Sequence, residues 1–61
     1  MRITVRIDCD NAAFGDGAGV EAARILHELA EDMVKQGVKP GDEFWLRDAN
    51  GNRVGEAKAS R

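Results

Sequence analysis

A single amphipathic helix pattern occupies the middle of the chain, and it restricts the possible folds more than any other feature. Apolar residues recur over residues 20–36 at the i, i+3, i+4, i+7 spacing of one helix face. Gly37 follows, and a glycine with positive φ commonly ends a helix. One helix of this length in 61 residues leaves room only for short strands, so we expect a single domain spanning residues 1–61.

Short strand patterns lie on both sides of the helix. Residues 2–8 alternate apolar and polar side chains, as does the segment around Phe44 and Leu46, while a weaker, edge-like pattern spans residues 53–58. The predicted fold class is therefore α+β of order β-α-β-β, with one helix packed on a three-stranded sheet. The expected core consists of Ile3, Val5, Ile7, Ile25, Leu26, Leu29, Met33, Phe44, Leu46 and Val54.

The order of the strands is less constrained than their number. The helix carries the chain back across the sheet, so the first and second strands should run parallel through a right-handed crossover. The first strand could neighbour either of the other two. We favour the order 1-2-3, because the second strand is the more apolar and the third resembles an edge.

The last two strands are expected to form a hairpin around an Asn-Gly sequence. A three-residue loop over residues 49–51, with its final glycine left-handed, is favoured over a two-residue turn. It sets Leu46 opposite Val54 on the apolar face, and Trp45 then lies opposite Gly55. A shift by one residue would move every side chain to the other face.

Composition excludes several classes of protein. The chain is 43% apolar and 33% charged, as globular domains are, and its net charge of −2 gives no bulk attraction to nucleic acid or anionic membranes. No apolar run approaches the roughly 20 residues of a membrane span.

One cysteine, Cys9, cannot form an intramolecular disulfide and fits a reducing cytoplasm. We expect a cytoplasmic protein that gains core by forming a homodimer.

The loop between the first strand and the helix is rich in acids and glycines. Asp8, Asp10 and Asp16 do not follow the spacing of a helix–loop–helix calcium site, although they could hold a cation loosely. Residues 15–20 lack the last glycine of a dinucleotide loop and the lysine of a phosphate loop. We therefore expect a connector in which Asp16 caps the helix, with no metal and no cofactor.

Catalytic groups are sparse. His27 has Glu31 as its one potential ligand partner at i+4, and a single pair of this kind is a weak metal signal. Nothing in the sequence brings Cys9 near His27 for nucleophilic catalysis, and a domain of this size has little room for a pocket. We expect no catalytic residues and no enzyme activity.

The sheet face that the helix does not cover is the most informative surface. One tryptophan is predicted to lie there among arginines, a combination that is enriched in protein-binding hot spots. Exposed sheets with aromatic residues also stack single-stranded bases, so nucleic-acid binding is the alternative. A solvated face without a partner is the third possibility. The candidate binding residues are Arg2, Arg6, Trp45, Arg47 and Arg53.

Four short segments carry a resemblance to known sequences: Asp10-Asn11-Ala12, ARIL from Ala23, Leu29-Ala30 and the motif R-D-x-N-G-N-x-V-G over residues 47–55. Through them, most of the chain resembles small uncharacterised proteins encoded by bacteriophages and prophages. The resemblance implies a phage-like origin and brings no catalytic residues. It suggests a small protein that modulates a host protein by binding.

A second similarity concerns the hairpin. VKPGDEFWLRDANGNRV, residues 38–54, is similar to part of the swapped-hairpin DNA-binding regulators of bacteria. Those regulators have a hairpin ahead of the helix, whereas this chain has one strand there. The strand pair that binds DNA in those proteins is thus missing.

Overall fold

The computed structural model describes the backbone of all 61 residues and every side chain except that of Asp16. The described backbone forms the strand β1 (Arg2–Ile7), a short 3-10 turn (Gly15–Gly17), the helix α1 (Ala18–Gln36) and the strands β2 (Glu43–Arg47) and β3 (Arg53–Ser60). The predicted α+β class and the β-α-β-β order are confirmed.

The helix begins and ends close to its predicted limits. Gly17 is its N-cap residue; the predicted cap by Asp16 concerns the side chain that lies outside the described residues. At the other end, Gly37 has φ +76°, and its N–H donates to the carbonyl of Met33 at 2.9 Å. The expected glycine stop with positive φ is confirmed.

The predicted strand order is wrong. The sheet has the order β1-β3-β2, and β3 is antiparallel to both neighbours. β1 and β2 therefore run in the same direction, as expected, but β3 lies between them. Its alanines explain why it can be central: Ala57, fully buried, has Val5 on one side and Phe44 on the other, so a small side chain leaves room for larger neighbours.

The hairpin loop is as predicted, but the register beyond it is not. Gly51, with φ +84°, donates its N–H to the carbonyl of Asp48 at 3.0 Å, which closes the three-residue loop. The register is then irregular next to Arg47, so Leu46 lies opposite Gly55 instead of Val54. The side chain of Val54 is buried as predicted, and this β-bulge turns Ala57 and Ala59 inward as well.

The core lies between α1 and the β2 side of the sheet. Ile25, Leu29, Phe44, Leu46 and Val54 are buried as predicted, and Ile7 and Met33 pack against them while partly exposed.

Three other members of the predicted core are exposed. Ile3 and Val5 keep 44% and 41% of their surface accessible, and Leu26 is also exposed. The reason is the position of the helix, which packs mainly against β2 and away from the first residues of β1. The core is completed instead by Phe14, Ala57 and Ala59.

Candidate binding face

The outer face, meaning the sheet surface that points away from α1, carries the predicted binding residues. Alternation along the strands places them there, since the residues between them on β2, Phe44 and Leu46, are buried. The outer face consists of Arg2, Thr4, Arg6, Glu43, Trp45, Arg47, Arg53, Glu56, Lys58 and Ser60.

Trp45 is held in place by an arginine of the neighbouring strand. The guanidinium carbon of Arg53 lies 3.9 Å from the centroid of the indole ring, within the range of a cation–π contact. The tryptophan nevertheless keeps 58% of its surface accessible. The ring is therefore a large apolar surface with a defined orientation that remains open to a partner.

Glu56 stands at the centre of the outer face. It lies opposite Arg6 on one side and Trp45 on the other. Arg6 donates to its carboxylate through Nε and Nη2, each at 2.8 Å. Arg53 approaches the same carboxylate at 3.6 Å, so Glu56 connects Arg6 on β1 to the arginine that stacks on Trp45.

These contacts shift the protonation equilibria of the cluster. The hydrogen bonds to Glu56 and Asp8 raise the pKa of Arg6, while the hydrogen bond from Arg6 holds the pKa of Glu56 below its ordinary value. Both groups are charged across the physiological range. At the centre of the outer face, positive and negative side chains are therefore paired with each other beside the ring of Trp45.

Two of the five predicted binding residues, Arg2 and Arg47, lie away from the cluster of Arg6, Trp45, Arg53 and Glu56. Arg47 lies opposite Arg53 and donates to the carbonyl of Gly51 at 3.2 Å, so it belongs to the hairpin end of the face. Arg2 lies at the start of β1, opposite Ser60. It lies four positions along the strand from Arg6, a span of about 13 Å.

Sequence reasoning missed Glu56 because it missed the bulge. With Trp45 placed opposite Gly55, position 56 was assigned to the other face. A signal was available: the apolar residues of the third strand change phase, from the even position 54 to the odd positions 57 and 59. A change of phase within one strand indicates an inserted residue.

A second polar cluster joins the hairpin loop to the helix and to the connector after β1. The buried carboxylate of Asp48 accepts hydrogen bonds from the backbone N–H groups of Asn50 and Asn52 and from the side-chain amide of Asn11. Glu21, also buried, accepts from Arg24 at 2.8 Å and from the backbone N–H of Ala49 at 2.6 Å. Both carboxylates are occupied by donors that fix the loop.

The pKa values of these two acids follow from their partners. The hydrogen bond from Arg24 lowers the pKa of Glu21 despite its burial. Burial acts to raise the pKa of Asp48, but the hydrogen bonds from Asn52 and Asn11 outweigh it, and the net shift is downward. The arrangement stabilises ionised carboxylates.

The connector after β1 does more than join two elements. Phe14 keeps only 1% of its surface accessible and belongs to the core. Asn11 accepts a hydrogen bond from the N–H of Ala13 at 2.9 Å while its amide bonds to Asp48. The connector is thus anchored by one buried ring and one side-chain turn.

The remaining candidates for chemistry are dispersed. Among the described side chains, no three histidine, cysteine or acidic residues are grouped so that they could hold a metal ion. Asp8 and Asp10 are exposed, and the third acid of the proposed cation loop, Asp16, lies outside that description. His27 is exposed on α1, and Cys9 is exposed next to the end of β1.

No helix in the described chain is long and apolar enough to span a membrane. Comparison with protein-family models, with curated proteins and with solved structures found no match to this chain.

Proposed function

We propose that this chain is a non-enzymatic binding protein that contacts another protein through its outer face. The observation that carries the proposal is the oriented, largely exposed ring of Trp45 with Arg53 stacked on it. Tryptophan and arginine contribute most strongly to binding when a partner removes them from water, and a side chain that is already oriented loses little freedom on binding.

The charges around Trp45 favour a protein over a nucleic acid. Arg6 and Arg53 are both directed at Glu56, and Lys58 lies 3.7 Å from Glu43. A phosphate backbone that followed these cations would also meet the two carboxylates. Polar groups of mixed sign around an aromatic residue are instead typical of the rim of a protein interface. The resemblance to phage-encoded proteins makes a host protein the first partner to seek.

Affinity purification from a bacterial lysate tests this proposal with two matched variants. Trp45→Ala removes the exposed ring, whereas Val34→Ala removes an exposed apolar side chain from the far side of α1. We expect a protein that is enriched equally by the wild type and Val34→Ala and is lost with Trp45→Ala. Equal recovery by all three baits would contradict the proposal.

The purified partner then allows a direct measurement, since Trp45 is the one tryptophan in the sequence. Binding should reduce acrylamide quenching of its fluorescence, and Trp45→Ala should weaken affinity about 30-fold or more. A single-stranded oligonucleotide serves as the competing ligand. If it binds through Trp45 with an affinity that falls steeply between about 50 mM and 200 mM salt, the nucleic-acid alternative replaces the protein partner.

A further inference from the structure

β1 is an edge strand, and the backbone groups that face away from β3 belong to its apolar residues. The N–H of Asp8 donates to the carbonyl of Val54 on β3 at 2.8 Å. The carbonyl of Arg6 also points at β3, because a Cβ added to Gly55 would lie 1.8 Å from its oxygen. Backbone groups alternate in direction along a strand. The N–H and carbonyl groups of Ile3, Val5 and Ile7 therefore point to the open edge, where the thiol of Cys9 donates to the carbonyl of Ile7 at 3.9 Å.

The side chains of the same strand are incompletely covered. Ile3 and Val5 retain 44% and 41% of their surface, because α1 packs on their face of the sheet but mainly against β2, at the other edge. An edge that combines free backbone groups with exposed β-branched residues is a template for pairing with another strand. β1 has no bulge or proline that would prevent such pairing.

We propose that two copies of this chain pair through β1, antiparallel, with Val5 opposite the partner's Val5. In this register Ile3 lies opposite the partner's Ile7. The backbone N–H and carbonyl groups that point away from β3 in one copy therefore face the same kind of groups in the other copy along the whole strand. Both apolar pairs fall on the helix side of the sheet.

The charges select this register among those that the backbone allows. It places Arg2 opposite the partner's Asp8 twice, once on each side of the two-fold axis. A slip in one direction places Arg2 opposite the partner's Arg6, and a slip in the other places the two copies of Arg6 opposite each other. Like charges directly opposite are destabilising, whereas opposite charges stabilise a strand pair.

Arg2 and Asp8 are both available for this contact. Arg2 makes no ion pair with any side chain that the structure describes, although it was predicted to belong to the binding face. Asp8 contacts Arg6 and keeps its side chain largely exposed, so its carboxylate has room for a second guanidinium.

The pairing does not depend on the proposed function, but it would extend the binding surface. The product is a continuous six-stranded sheet with both helices on one side and both outer faces on the other. Five strand spacings separate the two copies of β2, so the two Trp45 residues would lie about 24 Å apart. A dimer of this form would present two equivalent sites to a partner.

Charge reversal tests the register, with dissociation constants measured by sedimentation equilibrium. Arg2→Glu and Asp8→Arg should each raise the dissociation constant of the dimer about tenfold, and the double variant should restore it. Lys35→Glu, on the exposed side of α1, carries the same change in net charge as Arg2→Glu and should have no effect. Tighter association of Arg2→Glu would overturn this register, because it indicates pairing with Arg6.

Val5→Pro tests the edge itself. The N–H of Val5 points away from β3, so proline removes no hydrogen bond within the sheet but blocks pairing at the centre of the dimer. We expect a folded monomer, with folding checked by circular dichroism. A wild-type chain that stays monomeric at about 1 mM, or a dimer that Val5→Pro and the charge reversals all leave intact, would overturn the proposal.

Discussion

The side-chain amide of Asn11 donates a hydrogen bond to the carboxylate of Asp48 at 2.7 Å, although 37 positions separate the two residues. This contact fixes the connector after β1 against the hairpin between β2 and β3. Asp48 also organises the hairpin loop, because its second oxygen accepts the N–H groups of Asn50 and Asn52 at 2.9 Å and 2.8 Å. One carboxylate thus holds two separate loops in their relative positions.

Removal of Asp48 should destabilise the protein strongly. Asp48→Ala leaves several donors in a buried site without an acceptor, and unpaired buried groups are costly. We expect a clear fall in the thermal midpoint measured by circular dichroism. Asn11→Ala removes one of those contacts and should cost about 1 kcal/mol. Asp32→Ala, on the exposed surface of α1, is the control, and an equal effect of the two aspartate variants would contradict the role assigned to Asp48.

Local patterns in the sequence predicted the elements, because each of them depends on nearby residues. The helix was found from its 3.6-residue period and its glycine stop, β1 from its alternation, and the hairpin loop from Asp48 and Gly51. Five of the ten predicted core residues are buried, because the same periodicities place apolar side chains on one face of the helix and of each strand. Arg2, Arg6, Trp45 and Arg47 of the outer face followed from the same alternation along β1 and β2.

What the sequence patterns did not show depends on packing between distant segments. The position of α1 over β2 decides that Ile3 and Val5 are exposed, and periodicity within the helix carries no information on that position. The burial of Phe14 needs a connector folded back over the core. Glu56 reaches the centre of the outer face through one bulge, which changes the phase of every later residue in β3.

Two glycine substitutions should have opposite effects. At Gly55 an added Cβ would lie 1.8 Å from the carbonyl oxygen of Arg6, so Gly55→Ala must separate β1 from β3 and should cost about 3 kcal/mol. At Gly19, in the first turn of α1, a Cβ meets nothing within 4 Å. Gly19→Ala should therefore stabilise the protein by about 0.5 to 1 kcal/mol. Urea denaturation distinguishes the two, and a neutral Gly55→Ala would show that the strands can adjust.

The protein should lose stability in acid, because folding lowers the pKa values of two of its carboxylates. The ordinary values are 4.5 for Glu21 and 3.8 for Asp48, and both groups titrate lower in the folded chain. Between the folded and the ordinary pKa values, the unfolded chain binds more protons than the folded chain. The two carboxylates therefore stabilise the fold fully above their ordinary pKa values, and this stabilisation is lost as the pH falls through their pKa values in the folded chain. Unfolding free energies measured between about pH 6 and pH 3 should fall accordingly.

A variant separates this effect from general acid denaturation. Glu21→Gln should be less stable near neutral pH, because it weakens the contact with Arg24, and its stability should fall less steeply toward acid pH. Glu31→Gln makes the same change in charge at an exposed position of α1 and should keep the wild-type slope. Identical slopes for all three proteins would contradict the assignment to Glu21.

Loss of Phe14 should come close to unfolding the protein. The ring is almost fully buried against the core, and replacement of a buried phenylalanine by alanine costs about 3 to 5 kcal/mol. A domain of this length has a total free energy of unfolding of roughly 3 to 9 kcal/mol, so Phe14→Ala should remove much of it. Val34→Ala shortens an apolar side chain that is 86% exposed and should change stability by less than about 0.5 kcal/mol. Denaturant titrations of both variants measure the difference, and a Phe14→Ala protein as stable as Val34→Ala would show that the connector does not contribute to the core.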